Sequence, residues 1–293
     1  MTPQRVERQN SDVTIVFDAY GSEGAPGVLL AHGGGQTRHS WRGTAIRLAE
    51  AGYFAVTADL RGHGESSWSP DANYDLADFA GDLRLVAEWM GAPPAFVGAS
   101  LGGLSSLVAI AESDGPAPVA AALVLVDVAV HLEPAGVKRI GEFMRGHLDG
   151  FDSLDDVADA VAAYNPHRPR PTDLSGLRKN VRLGEDGRWH WHWDPRFMRD
   201  PDVDEPRTVL HMAQLEADAR SLALPTLLVR GRESDLLSER GAQRFLELVP
   251  SAEFVDVGGA GHMVAGDRND AFNDAIIGFL ERVHPLSPAT LDR

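Results

Sequence analysis

Short apolar runs recur along the chain, each closed by a glycine, a serine or an acidic residue. Val13 to Phe17 alternates in part and reads as an early strand. Gly27 to Ala31 ends in His-Gly-Gly-Gly, Tyr53 to Ala58 ends at Asp59, and Ala95 to Ala99 ends at Ser100. Ala121 to Val126 ends at Asp127, Thr226 to Val229 ends near Asp235, and Glu253 to Val257 leads into a glycine-rich loop before His262. Such runs suit strands of a parallel sheet covered on both faces. Between them, Ser40 to Ala51, Asp75 to Met90, Leu101 to Ala111, Leu237 to Leu248 and Asn269 to Val283 carry helical apolar spacing. The alternation predicts an α/β layered fold. Its polar groups gather just after the strand ends, the edge at which open α/β sheets bind ligands.

One region breaks the rhythm. From His131 to Ser221 there is no parallel-strand signal. Ile140 to Leu148, Ser153 to Tyr164 and Pro206 to Arg220 read as helices, and Trp189 to Trp193 alternates like a short strand. The expected organisation is a core of residues 1–130 and 222–293 with an inserted, mainly helical cap at 131–221. The residues from Pro285 onward read as a loose tail.

Composition narrows the class. The formal net charge is −16, which disfavours phosphate backbones and anionic lipid surfaces, so neither nucleic acid nor membrane is expected as a partner. A small-molecule substrate is expected instead; oligomeric state is not readable. The sequence has no cysteine, which excludes disulfides, thiolate metal sites and a cysteine nucleophile. The polar start, Met1 to Asn10, lacks a leader's apolar stretch, and the most apolar run, Val119 to Val130, is too short to span a bilayer and contains Asp127. A soluble cytoplasmic protein is expected.

The chemistry concentrates in four segments. Gly98-Ala99-Ser100-Leu101-Gly102 matches G-x-S-x-G between a strand and a helix, a turn that lifts a serine hydroxyl above the sheet edge. A serine needs a base, and His262, after the last strand, is the candidate. Asp235 is the expected acid partner, giving the chain order Ser, Asp, His; Asp127, at the end of the preceding strand, is its rival, and Asp256 is a weaker one. His32-Gly33-Gly34-Gly35 can present backbone N–H groups to an oxyanion, with Gly34 and Leu101 the expected donors and Gly33 and Gly35 open alternatives. Asp59 to Ser66 (DLRGHGES) matches no common metal motif and reads as a buttress of the oxyanion strand. Trp191 and Trp193 either line a substrate pocket or form the cap's own core, while His190 and His192 are expected to face away without a role.

These segments together resemble the α/β-hydrolase superfamily, in its capped serine-nucleophile branch of esterases, perhydrolases and C–C bond hydrolases. The likeness is specific over HGGG, DLRGHGES, GASLGG, GRESD and GAGH, and vague over the cap. It implies a mostly parallel eight-stranded sheet flanked by helices, Ser100, Asp235 and His262 as triad, Gly34 and Leu101 as oxyanion hole, and no metal or organic cofactor. Relatives that open epoxides or remove halides carry a carboxylate where this chain has Ser100. The serine therefore points to acyl chemistry: an ester- or lactone-cleaving enzyme of the carboxylic ester hydrolase class. The alternatives are a C–C hydrolase of diketones, with Arg178, Lys179 or Arg182 as acid-group contacts, or a ligand receptor on a hydrolase scaffold.

Overall fold

The structure is a computed structural model that describes residues 1–113, 118–166, 169–198, 205–262 and 269–286, with 205–210 and 269 as backbone only. The expected tail beyond residue 286 lies outside the described residues.

Strands β1 (Gln4–Asn10), β2 (Val13–Tyr20), β3 (Gly27–Ala31), β4 (Phe54–Ala58), β5 (Ala95–Ala99), β6 (Ala122–Val126), β9 (Thr226–Gly231) and β10 (Glu253–Val257) form one eight-stranded sheet in the order β1-β2-β4-β3-β5-β6-β9-β10. The β1–β2 and β2–β4 pairs are antiparallel and the rest parallel. Strands β3, β4, β6 and β9 are buried at every position, as a sheet covered on both faces requires. The polar β1 gave no strand signal because it is an edge strand, with only Val6 buried.

Alternate strand residues feed two cores. Leu29, Val56, Phe96, Leu125 and Leu228 pack with helices α2 (Leu76–Met90), α3 (Leu101–Ala111), α6 (Glu205–Ser221) and α7 (Glu239–Leu248). Val28, Leu30, Ala55, Val97, Val124 and Val229 pack on the other face with α1 (Arg42–Glu50) and α8 (Asn269–Val283). Each fully buried Leu or Val contributes about 1.5–3 kcal/mol of transfer free energy. Asp75 starts α2 through a capping box with Asp78.

Between β6 and β9 the chain forms α4 (Pro134–Arg145), α5 (Leu154–Tyr164), the hairpin β7 (Val181–Leu183) and β8 (Trp189–Trp191), and α6. Met144, Phe151, Val157, Leu177, Val181, Trp191 and Trp193 form a third, separate core within this insertion. Helix α6 differs from the sequence expectation: its Leu215 and Ala219 belong to the larger sheet core rather than to the insertion. The insertion is fastened to the segment between β4 and α2. Asp194, fully buried, accepts from Tyr74 Oη at 2.6 Å, and its N–H donates to the Gly62 carbonyl at 2.8 Å.

Candidate active site

Ser100 sits between β5 and α3 with φ 48° and ψ −117°, a backbone region that a residue with a Cβ enters only under strain. Packing holds it there. A Cβ on Gly98 would lie 2.4 Å from the Gly102 carbonyl oxygen, and one on Gly102 would lie 2.4 Å from that of Ala31. Strand β5, helix α3 and strand β3 thus approach to distances that only glycine permits. The Gly102 N–H donates to the His32 carbonyl at 3.1 Å, which ties the start of α3 to the glycine loop. Leu101 opens the helix, where N–H groups have no intrahelical acceptor and the dipole is positive.

His262 follows β10, and its Nδ1 lies 2.7 Å from Asp127 Oδ2. Asp127 is fully buried at the end of β6, itself at φ 49°. Its carboxylate also accepts from the Gly231 N–H at 2.8 Å and Ser234 Oγ at 2.5 Å. A buried carboxylate needs such partners, because an unpaired one carries a large desolvation penalty. A carboxylate on Nδ1 leaves Nε2 as the imidazole's acceptor.

Asp235, the expected acid, is not in this arrangement. It lies 43% exposed and ion-pairs with Arg139 of α4 at 2.9 Å. The local fold explains why. After β9, Ser234 Oγ accepts from the Leu236 and Leu237 N–H groups, closing a turn that carries Asp235 to the insertion. The segment read as holding the acid instead supplies Gly231 and Ser234 as donors to the acid on the preceding strand. Asp256 is also elsewhere, paired with Arg230 and Arg232.

The glycine loop is held from below. The Gly33 N–H donates to Gln36 Oε1 at 3.2 Å, so it is already engaged, and Gly34 lines the cavity beside Ser100. His32 Nε2 accepts from the Leu60 N–H at 3.1 Å, and Arg38, 4% exposed, is bonded to Asp59, Asp18 and Glu65. Burial opposes the Arg38 charge, but Asp59 and Asp18 more than offset it, so its guanidinium holds its proton more firmly than usual. The DLRGHGES segment therefore buttresses the loop, as its sequence suggested.

His192 departs from expectation. It is buried, with Nδ1 accepting from the Gly64 N–H at 2.8 Å and Nε2 3.3 Å from the Gly35 carbonyl. It links the insertion, the buttress and the glycine loop. Its ring packs in series with His63 and His32, at centroid distances of 5.9 and 5.3 Å. Burial drives all three imidazoles toward the neutral form: His32 down to about 4, His63 to about 3, and His192 well below the ordinary value. The signal in the sequence was the alternation itself, which placed His192 opposite the tryptophans and hence against the core.

Ser100, His262 and the glycine loop open onto a cavity of about 420 Å³. Trp191 and Trp193 belong to the core of the insertion and to the cavity wall alike. They are stacked at 4.7 Å. Ile140, Phe143, Met144 and Val161 complete this apolar wall.

This geometry defines a hydrolase of the α/β type, and comparison with known proteins agrees. The Alpha/beta hydrolase family matches residues 28–275, and the chain belongs to it. The chain is 30% identical over 275 residues to esterase Rv0045c of Mycobacterium tuberculosis, covering 88% of this chain and 83% of that one. A crystal structure of that esterase superposes with a TM-score of 0.72 at 28% identity, over 96% of this chain and 93% of the other. The 3-hydroxybutyrate-oligomer hydrolase of Cupriavidus necator is 28% identical over 260 residues, covering 84% of this chain and 87% of that one. Among the described residues, no helix is long and apolar enough to cross a membrane.

Proposed function

We propose that the chain is a serine hydrolase that cleaves a carboxylic ester or lactone through an acyl-enzyme. The observation that carries this reading is the 2.7 Å contact between His262 Nδ1 and Asp127, with His262 and Ser100 lining one cavity. The similarity to an esterase and to a hydrolase of hydroxyacid oligomers supports the ester bond as target.

Ser100 Oγ adds to the substrate carbonyl while His262 Nε2 takes its proton. Asp127 fixes the imidazole's tautomer and stabilises the imidazolium. The N–H groups of Gly34 and Leu101 stabilise the oxyanion; with the Gly33 N–H engaged by Gln36, Gly34 is the stronger candidate in the loop. His262 then protonates the leaving alcohol. Water, deprotonated by the same histidine, releases the acid and restores Ser100. The insertion acts as a cap, and its tryptophan wall selects the apolar part of the substrate. Pre-steady-state hydrolysis of 4-nitrophenyl butyrate tests the reading. A burst of nitrophenolate that disappears in Ser100→Ala is expected; a burst that survives would place the nucleophile elsewhere.

A further inference from the structure

The cavity has a charge pattern opposite to that of the chain. The sequence carries 43 acidic residues against 27 basic ones, yet the described cavity lining contains no Asp or Glu. Its one permanently charged side chain is Lys179, at the end of the 3-10 turn Leu174–Lys179. Lys179 is exposed and yet lines the cavity, so it stands where the cavity meets solvent. Polar neighbours in the lining include Gln36, His39, Asn165 and Asn180.

Among the described residues, the cations adjoining it in the chain are committed elsewhere. Arg178 lies over the Trp189 ring at 5.4 Å. Arg182 lies over Trp68 at 5.7 Å and donates to the Gly64 carbonyl. The chain's other lysine, Lys138, sits 3.8 Å from Glu142 one helical turn away. Among the described residues, Lys179 makes no ion pair. Lys179 is also close enough to His39 to act on its titration: burial, then Arg38 and Lys179, push that imidazole down against the pull of Asp59 and Asp18. His39 is therefore a neutral hydrogen-bonding group beside the ammonium. An acidic protein repels anions over most of its surface, so a cation without an ion pair and without a carboxylate beside it in the described lining is a local exception.

Building on the serine-hydrolase reading, we propose that the substrate is an ester bearing a free carboxylate, which Lys179 binds while the scissile carbonyl sits at Ser100. One ammonium balances one carboxylate; a phosphate dianion would call for more cationic donors than the described lining offers. Lys179 makes and breaks no covalent bond. It is a specificity residue, and its interaction is the same in ground and transition states, so its loss acts mainly on KM.

The test compares mono-4-nitrophenyl glutarate with 4-nitrophenyl pentanoate, two esters of equal chain length that differ by the terminal carboxylate. The expected wild-type kcat/KM ratio favours the glutarate, by about three- to fivefold for one ion pair at the solvent edge of the cavity. Lys179→Gln removes most of that preference through KM, Lys179→Arg keeps most of it, and Lys179→Glu inverts it. Added salt erodes the wild-type ratio and leaves the Lys179→Gln ratio level. A wild-type ratio near one, or an equal ratio in all four proteins, overturns the proposal. Calorimetric binding of both esters to Ser100→Ala separates this claim from the one beneath it. Tighter binding of the glutarate that is lost on adding Lys179→Gln upholds the anion site even if turnover proves independent of Ser100. Ser100-dependent hydrolysis of both esters without discrimination upholds the serine reading alone.

Discussion

The Asp127 carboxylate lies 2.7 Å from His262 Nδ1, while Asp235 faces away and pairs with Arg139. Two acids that follow adjacent parallel strands thus have separate tasks. Asp127→Asn replaces an acceptor by an amide that can turn its NH₂ toward Nδ1 and favour the wrong tautomer. A fall in kcat of roughly 10³–10⁴ is expected. Asp235→Asn removes a half-exposed ion pair worth at most about 1 kcal/mol, so kcat should change by no more than about fivefold. Steady-state kinetics of the two variants check this, and the reverse ranking would return the acid's role to Asp235.

Ser100 occupies a backbone conformation that penalises its own Cβ. Ser100→Ala and Ser100→Gly both delete the hydroxyl, but only glycine relieves the strain. The glycine variant should be the more stable of the two by about 1 kcal/mol, since left-handed strain of about 1–3 kcal/mol exceeds the extra entropy of an unfolded glycine. Urea titration of both variants measures the difference; an alanine variant as stable as the glycine one would mean that the turn is unstrained.

The neutral trio of His32, His63 and His192 makes stability depend on pH. Their folded-state pKa values are depressed by burial, to about 4 for His32 and about 3 for His63. The unfolded chain binds these protons near pH 6.5 and the folded chain does not. Their contribution is therefore complete above about pH 6.5 and declines as pH falls toward 4, by up to roughly 1.4 kcal/mol per pH unit for each histidine. Unfolding free energies should drop by several kcal/mol between pH 7 and 5, above the range where most carboxylates titrate. A flat profile over that interval would show that these imidazoles are not held neutral.

The tryptophan wall depends on a tether outside the cavity. Tyr74 Oη donates to Asp194 at 2.6 Å and accepts from the Ser69 N–H at 2.9 Å. Tyr74→Phe leaves a buried carboxylate short of one donor and should cost about 1–3 kcal/mol. Because Asp194 adjoins Trp193, KM should rise more than kcat falls. Thermal melts and ester kinetics on the same preparation test both parts; a loss of kcat at constant KM would contradict the tether.

The elements were legible where burial on both faces forced unbroken apolar runs: β3, β4, β5, β6 and β9 all appear where the hydrophobic pattern put them. Strand β1 was not, since an edge strand with one inward valine carries no such pattern. That Ser100 and His262 share one cavity was legible because glycines and strand ends fix their surroundings. Which carboxylate meets His262 was not legible, because both candidates follow strands and position alone does not separate them. A physical cue was present. Asp127 interrupts the apolar run Val119–Val130, so it had to be buried and partnered, whereas Asp235 lies among Arg232, Glu233 and Ser234. Alternation indicates only that His192 turns away from the tryptophans; its contacts with Gly64 and Gly35, and the placing of Lys179 at the cavity, depend on loops meeting across the fold.

The most direct test is the labelling rate of Ser100 by a fluorophosphonate, followed by peptide mass mapping in wild type, Asp127→Asn and Asp235→Asn. Labelling confined to Ser100, slowed at least about 100-fold in Asp127→Asn and little changed in Asp235→Asn, is the predicted result. Label on another residue, or a wild-type rate in Asp127→Asn, would contradict the Ser100–His262–Asp127 assignment.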